Sequence, residues 1–237
     1  MFYVARGNVP PKRHTQHRAP DGSLYAEELF GVEGFTGRSS LLYHLVPPTR
    51  THLVEPVRRV IHEEADDEAH RHRLVNTTGV EPAGDAVSGR LPLFFNADIV
   101  MGVVRPAEAM PAGRFYRNGQ ADELLYVHEG SGSLNTIFGR LRYGAGDYLA
   151  LPIGTTWRLD PDDGVAQRML WLECPSEIEP PKRYRNDYGQ LLEHSPYHQR
   201  DIRIPDWVEP RDDAGDFVID VKVRDRITAY HYRHHPF

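Results

Sequence analysis

The chain has 237 residues, of which 40% are hydrophobic, so it is long enough to bury a substantial core in one large domain or in a core domain with extensions. The net charge is −6 and no basic cluster occurs, which argues against nucleic acid or an anionic membrane as a partner. No apolar run approaches the roughly 18 residues that a membrane-spanning helix needs, and the start lacks a secretory leader pattern. The single cysteine, Cys174, excludes an internal disulfide, and together these features predict a cytoplasmic protein.

Residues 1–90 are predicted to form an N-terminal extension of loops and short strands. The apolar run at residues 40–46 has the length of a strand and is ended by Pro47 and Pro48, so we expect it to add to the edge of a sheet. Residues 62–73 are strongly charged and lack an apolar stripe. We expect them to form a solvated loop or a surface turn of helix.

Two histidines of this charged segment resemble the His-x-His pattern of metal-binding proteins. His70 and His72 are separated by one residue, and the nearby carboxylates are Glu63, Glu64, Asp66 and Asp67. No alternating apolar strand surrounds them, so nothing would hold the imidazoles at fixed angles. A solvated charged face is therefore favoured over a ligand set.

Residues 91–175 are predicted to form the core of an all-β domain. The chain contains 20 glycines and 19 prolines, which disfavours long helices and is typical of many short strands and turns. The predicted strands are 93–95, 99–104, 114–117, 123–127, 132–138, 147–151, 155–159 and 167–173. Their spacing is that of a jelly-roll barrel.

Residues 176–237 are predicted to be a linker followed by a strand pair. Residues 184–207 are rich in aromatic residues, histidine and charge, and we expect a long irregular connection there. From Asp216 to the end, apolar and polar residues alternate with a period of two, as in a half-buried strand pair. The chain stops without a polar tail, which leads us to expect a further domain beyond it.

Two glycine-bounded segments within residues 91–175 have the spacing of the two cupin motifs. The first runs from Glu123 to Gly130 and the second from Gly146 to Gly154. A metal-binding cupin needs two histidines before the glutamate and one in the second motif, but those positions hold Arg117 and Gly119, or Tyr116 and Asn118 in the alternative spacing, and Trp157. One carboxylate without imidazole partners cannot supply the ligands of a transition metal. The sequence thus predicts a cupin-like barrel without metal ligands, and no catalytic or cofactor-binding residue.

The remaining candidate residues favour structural roles. His234 and His235 are adjacent on a predicted strand, so at most one of them can share a site with His231, and packing is favoured for all three. His128 has the opposite strand parity to Glu123 and is expected to face away from the barrel interior. Cys174 follows an apolar strand and is expected to be a small buried residue and not a nucleophile.

Several segments along the chain resemble the N-terminal part of the homogentisate 1,2-dioxygenase family. They are residues 24–29 (LYAEEL), 34–36 (GFT), 39–43 (SSLLY), 115–118 (FYRN), 122–125 (DELL), 136–139 (TIFG), 183–189 (RYRNDYG) and 234–237 (HHPF). In that family the N-terminal half holds a metal-free cupin-like barrel. The C-terminal half binds Fe(II) through two histidines and a glutamate and uses O2 to open an aromatic ring in tyrosine and phenylalanine catabolism.

The resemblance implies that this chain is the non-catalytic N-terminal half of such an oxidoreductase. Its Fe(II) would be bound outside this chain, and no catalytic residue of the family can be carried onto a position here. The implied partners are a missing C-terminal catalytic half, further copies in a trimer-based homo-oligomer, and an aromatic small-molecule substrate.

Two alternatives from other classes remain open. One is a stand-alone, metal-free cupin that binds a small aromatic ligand in a pocket lined by Phe115, Tyr126, Phe138 and Trp157. The other is a metal-dependent sugar isomerase or small cupin dioxygenase, which the missing histidines disfavour.

Overall fold

The computed structural model describes residues 4–10, 16–66, 69 and 71–237. Its strands are β1 (Ala26–Glu33), β2 (Thr36–His44), β3 (Leu53–Arg59), β4 (Arg90–Phe95), β5 (Val100–Val104), β6 (Arg114–Asn118), β7 (Asp122–Glu129), β8 (Gly132–Thr136), β9 (Gly139–Tyr143), β10 (Tyr148–Leu151), β11 (Thr156–Pro161), β12 (Arg168–Cys174), β13 (Ala214–Val223) and β14 (Arg226–His234). Two short 3₁₀ helices, Lys182–Tyr184 and Gln199–Asp201, interrupt the connection between β12 and β13.

Two sheets enclose the core. One has five strands in the order β10-β7-β12-β5-β4, and the other has seven in the order β3-β14-β13-β6-β11-β8-β9. Neighbouring strands are antiparallel, except that β13 runs parallel to β6. The predicted all-β fold, a cupin-like jelly-roll barrel with an N-terminal extension and a long irregular C-terminal connection, is confirmed.

Strand alternation explains why the core lies between these sheets. Burial alternates along β12, so that Met169 and Trp171 point inward, and along β7, where Leu125 and Val127 do the same. They pack with inward residues of the seven-stranded sheet, including Leu159 on β11. Full burial of such a side chain contributes roughly 1.5–3 kcal/mol, so this layer is the main source of barrel stability.

The strands predicted within residues 91–175 all form, with ends shifted by a few residues, and one further strand was missed. β8 ends at Thr136 because the Thr136 hydroxyl donates to the Gly139 carbonyl oxygen and accepts from the Phe138 N–H, which makes a tight turn. β9 follows directly and pairs with β8. Its arginines alternate with Leu141 and Tyr143, which is the period of a half-buried strand, so the sequence did carry a short signal for β9.

The seven-stranded sheet takes strands from all three segments of the chain. The predicted strand pair after residue 213 is confirmed as β13 and β14, and β14 pairs on its other side with β3. Strand β3 escaped prediction because all its residues are exposed and it contains Pro56. A sheet edge tolerates both features, since an edge strand has one side free of ladder hydrogen bonds.

The apolar run at residues 40–46 joins a sheet, as its length and composition predict, but this sheet is separate from the two barrel sheets. Most of it lies in β2, which pairs with β1 in a separate two-stranded sheet. The short turn at Gly34 places β2 directly beside β1, so β2 pairs with the strand that precedes it in sequence. Phe30 on β1 then packs edge-to-face on Phe138 at 5.0 Å and holds this ribbon against the barrel.

The long connection after β12 is irregular, as predicted, and it is held to the barrel by specific contacts. Arg140 and Asp206 exchange two backbone hydrogen bonds of 3.0 and 2.7 Å. The Asp122 carboxylate accepts from the backbone N–H groups of Ile153 and Ile178 at 2.7 and 2.8 Å. Buried Asp122 therefore links the start of β7 to the first residues of the connection.

Candidate functional site

A buried ion pair occupies the position where a metal-binding cupin would carry its metal. Glu123 on β7 points into the barrel and is 1% exposed. Arg90, at the start of β4, donates from Nη1 to Oε1 of Glu123 at 2.6 Å and from Nη2 to Oε2 at 3.3 Å. The Tyr116 hydroxyl and the Asn118 amide also donate to Oε1, at 3.3 and 3.2 Å. Both carboxylate oxygens are thus already bound by the protein itself.

Aromatic rings surround the Arg90 guanidinium. Its carbon lies 4.7 Å from the ring centre of Trp171, 4.9 Å from Tyr116 and 5.8 Å from Trp157. Trp157 also packs edge-to-face on Tyr116 at 5.3 Å. These faces attract a cation, and desolvation strengthens the attraction. We name this group, Arg90, Glu123, Tyr116, Trp157 and Trp171, the aromatic–ion cluster.

Arg90 and Tyr116 keep fixed protonation states at neutral pH. Burial by itself lowers the pKa of Arg90, but the charge and hydrogen bonds of Glu123, together with the nearby Tyr116 and Glu173, outweigh burial, and the pKa lies above its ordinary value. Burial, reinforced by Glu123, raises the pKa of Tyr116 well above its usual range. Arg90 is therefore a permanent cation, and Tyr116 is a neutral hydrogen-bond donor.

A second buried ion pair lies beside the first. Lys222 on β13 donates from its ammonium to Oε1 of Glu173 on β12, and both side chains are almost fully buried. Glu173 is directly opposite Glu123 across the β12–β7 pairing. Its Oε2 has no hydrogen-bond partner among the described residues. Two carboxylates and two cations thus converge between the sheets.

The structure decides between the two alternative spacings of the cupin motif. Tyr116 and Asn118 contact Glu123, whereas Arg117 points to the other face of the sheet and donates to the Thr156 hydroxyl at 2.7 Å. Trp157 is buried in the core at the position of the third histidine. Fe(II) prefers imidazole and carboxylate ligands with free lone pairs, but here a guanidinium, a phenol and an amide surround a saturated carboxylate. These residues do not fit Fe(II).

Three histidines that the sequence analysis considered, His128, His231 and His235, have contacts away from the aromatic–ion cluster. His128 is exposed, as expected from its strand parity. His231 contacts Glu55 at 2.9 Å, and His235 packs among Phe115, Phe217 and Phe237. Burial, with the nearby charge of Arg211, lowers the pKa of His235 to about 4.

The charged segment at residues 62–73 and the single cysteine were also candidate site residues. His72 is exposed, whereas His70 and Asp67 lie outside the described residues. Cys174 is half-buried at the end of β12, less enclosed than expected. Within the ranges that the structure describes, no three His, Cys, Asp or Glu side chains are grouped to hold a metal ion.

The four aromatic residues proposed to line one pocket do not meet. Trp157 lies in the core between the sheets, but Phe115 belongs to a separate cluster with Ile219 and Tyr232. Tyr126 packs against Tyr148, and Phe138 against a residue of β1. The pocket expected from these four residues is therefore absent, because strand parity and turns send their side chains to different faces.

A different cavity lies next to the aromatic–ion cluster. Its volume is about 180 Å³, and its lining includes Arg90, Trp171, Lys222 and His62, with Arg58 and Arg59 at its exposed end. We name it the inter-sheet cavity. His62 was expected on a solvated face but is half-buried here. The sequence signal that could have identified Arg90 is weak: it is one charge at the start of an otherwise apolar strand.

Among the described residues, no helix has both the length and the apolar character needed to cross a bilayer.

Comparisons with known proteins include a relative that matches along the whole chain. The chain is 36% identical over 237 residues to a protein of Saccharolobus solfataricus named "putative dioxygenase", and it spans about 60% of that protein's length. No family model matches the chain.

Solved structures match part of the chain. A Ralstonia eutropha protein named "putative mannose-6-phosphate isomerase" is 20% identical and covers 44% of this chain and 100% of its own, with a TM-score of 0.38. The cupin domain of Cnp3 from Schizosaccharomyces pombe is 14% identical and covers 36% of this chain and 62% of its own, with a TM-score of 0.33. The chain is thus similar along its full length to part of a protein named as a putative dioxygenase.

Proposed function

We propose that this chain is the non-catalytic, N-terminal half of an aromatic-ring-cleaving dioxygenase of the homogentisate 1,2-dioxygenase type. The observation that carries this proposal is the closure of the cupin metal position by Arg90, which binds both oxygens of Glu123. This chain is similar over its whole length to a protein named as a putative dioxygenase, but it spans only about 60% of that protein. This supports a reaction centre in the part of such a protein that the chain does not span.

In this proposal the barrel acts as a scaffold. The aromatic–ion cluster ties β4, β6, β7, β11 and β12 together across the core, so the barrel presents a rigid outer surface. That surface would pack against the catalytic half and against further copies in a trimer-based assembly. Fe(II) would be held by the catalytic half, where it would activate O2 and an aromatic substrate.

Iron content tests the proposal directly. The 237-residue protein is loaded anaerobically with Fe(II), freed from excess metal and submitted to elemental analysis. We expect far less than one iron per chain, because Arg90 already binds both oxygens of Glu123 and no histidine lies beside this carboxylate among the described residues. Near-stoichiometric iron would overturn the scaffold assignment and make this chain itself a candidate enzyme.

A variant of the cluster sharpens this test. Trp157→His places an imidazole at the position of the third cupin histidine and leaves Arg90 bound to Glu123. We expect this variant to stay iron-free, since one imidazole does not make a site. The Saccharolobus solfataricus relative, prepared in the same way at its full length, is the positive control for iron loading.

A further inference from the structure

The outer face of the five-stranded sheet is apolar across all five strands. Side chains that point away from the core form two rows, and each row follows the strand pairing from β10 to β4. Row A contains Tyr148, Tyr126, Leu170, Val103 and Leu91. Row B contains Ala150, Leu124, Leu172, Met101 and Phe94. None of the ten is charged or belongs to a core cluster, and we name them the outer apolar face.

The sequence of the two central strands has the pattern of a sheet that is covered on both faces. Residues 124–127 (LLYV) in β7 and 169–172 (MLWL) in β12 are each apolar at four consecutive positions. A sheet with one solvated face alternates apolar and polar residues, whereas a sheet buried on both faces has continuous apolar runs. The core accounts for the inward half of each run, so the outward half indicates a second cover.

The described part of the chain shields this face only partly. Tyr148 is 67% exposed, and Leu91 and Phe94 are each 43% exposed. The outward residues of β7 and β12 within the two rows are half-buried. Strands are spaced at about 4.8 Å, so two rows across five strands cover roughly 300 Å². Monomeric proteins rarely expose larger continuous apolar patches.

The size and the border of the face are those of the centre of an interface. A stable interface of standard size buries about 800 Å² on each partner and surrounds an apolar centre with a polar rim. Beside row A, such a rim is supplied by the exposed His128 and by the ion pair of Glu129 and Arg168. The outer apolar face therefore has room for a protein surface of similar area.

The order of side-chain sizes makes this face complementary to itself. At the β10 end, the large Tyr148 of row A lies beside the small Ala150 of row B. At the β4 end the order is reversed, because Leu91 belongs to row A and the larger Phe94 to row B. A two-fold axis that crosses the strands places row A of one copy on row B of the other. Large side chains then face small ones, and the two faces interdigitate.

We propose that the outer apolar face binds the same face of a second copy around this two-fold axis. The middle strand β12 stacks on β12 of the other copy, with the sheets about 10 Å apart and their strands within about 30° of each other. The contact brings no like charges together, since the face is uncharged. It is independent of the scaffold proposal, because it uses no residue of the aromatic–ion cluster and requires no second half.

Sedimentation equilibrium of the 237-residue protein measures this contact. We expect twice the chain mass of 27.1 kDa, with a dissociation constant on the order of micromolar or lower. A monomer at concentrations up to about 200 µM would overturn the proposal. A larger assembly that is unaffected by substitutions on the face would also overturn it.

Two variants place a charge on the face without changing the inward core. Tyr148→Glu and Leu170→Glu should each raise the dissociation constant of the dimer at least about tenfold, because the carboxylate loses its water in the contact. Leu53→Glu, on the other sheet and at a 46% exposed position, is the matched control and should leave dimerisation unchanged. Thermal denaturation checks folding. Since Tyr148 is largely exposed, unchanged dimerisation of folded Tyr148→Glu would by itself contradict the proposal.

A mixture of two variants tests the orientation of the copies. In the proposed stacking, Tyr148 of one copy lies on Ala150 of the other. Chains with Tyr148→Glu mixed with chains with Ala150→Lys therefore bring opposite charges together and should associate about fivefold or more tightly than either variant alone. The absence of any gain in the mixture would overturn the stacking of row A on row B.

Discussion

The Arg90 guanidinium and the Glu123 carboxylate, 33 positions apart in the chain, are joined in the barrel interior by a contact of 2.6 Å. Their side chains are 7% and 1% exposed, so the pair is removed from solvent. A pair of this kind need not stabilise the fold relative to apolar residues, but each partner alone would be a buried, uncompensated charge. Removal of one partner alone should therefore strongly destabilise the fold.

Substitution of one partner should destabilise the barrel more than substitution of both. Arg90→Met leaves Glu123 buried without a counter-charge, and we expect the free energy of unfolding to fall by about 3–5 kcal/mol. Arg90→Met combined with Glu123→Leu should recover much of that loss, because neither charge remains. Urea denaturation of both proteins measures the difference.

A surface pair provides the control for this experiment. Arg142 and Asp162 contact each other at 2.7 Å but are 56% and 36% exposed. Arg142→Met should lower the free energy of unfolding far less than Arg90→Met does, because solvent screens the exposed charges. Comparable losses in Arg90→Met and Arg142→Met would show that burial of the pair is not the cause.

The outline of this fold was predictable because it depends on local patterns. The Glu123–Gly130 spacing and the alternation along β7 and β12 are local features, and they predict an inward carboxylate and an all-β barrel. The cation that pairs with Glu123 was not predictable, because only the tertiary structure brings Arg90 close to it. A lone arginine at the start of a strand carries no local pattern that names its partner.

The cavity was missed for a related reason. Its residues come from the end of β3 and the segment after it, from the loop before β4, and from β4, β6, β12, β13 and β14, so no single stretch of sequence contains the site. The charged texture of residues 62–73 also concealed His62, whose half-buried position depends on β3 joining the edge of the seven-stranded sheet. The apolar residues of that edge strand, Leu53, Val54 and Val57, do not alternate with polar residues and are interrupted by Pro56, so they give no strand signal.

Substitution of Trp157 should lower the stability of the protein without lowering its iron content. Trp157→Phe removes part of a fully buried indole that packs on Tyr116 and lies near Arg90, and we expect a loss of about 1–3 kcal/mol. In a protein that also carries the proposed catalytic half, this variant should retain its iron while its melting temperature falls. Iron loss in a variant that is still folded would contradict the scaffold proposal. Trp207→Phe, at a 41% exposed position, is the matched control.

Acidification should reveal the buried neutral His235. Its pKa is lowered from 6.5 to about 4 in the folded protein, so below pH 6.5 the unfolded chain binds a proton that the folded chain does not. Stability contributed by the neutral ring is therefore present above pH 6.5 and is lost as the pH falls towards 4.

The variant His235→Phe isolates this contribution, because phenylalanine fits among Phe115, Phe217 and Phe237 without titrating. Between pH 7 and pH 4.5, wild type should lose about 1–3 kcal/mol more than the variant. Urea denaturation at both pH values gives this difference. The nearby titratable groups, His234 and Asp213, are present in both proteins and cancel. Parallel losses would show that His235 titrates normally.

The contact between the β8–β9 turn and the long connection can be tested by adding one methyl group. A Cβ at Gly139 would lie 2.1 Å from the Asp206 carbonyl oxygen, in a backbone conformation with φ +120° that side chains rarely adopt. Gly146 also has a positive φ, of +95°, but a Cβ there meets nothing within 4 Å. Gly146→Ala therefore carries backbone strain alone, whereas Gly139→Ala adds a collision with backbone.

We expect Gly139→Ala to lower the free energy of unfolding by about 1–3 kcal/mol more than Gly146→Ala. The collision can also be relieved by breaking the two backbone hydrogen bonds between Arg140 and Asp206, which would release the connection from the barrel. Limited proteolysis should then cut the connection near residues 199–209 faster in Gly139→Ala than in Gly146→Ala. Equal stability and equal cleavage in the two variants would mean that Asp206 does not anchor the connection at Gly139.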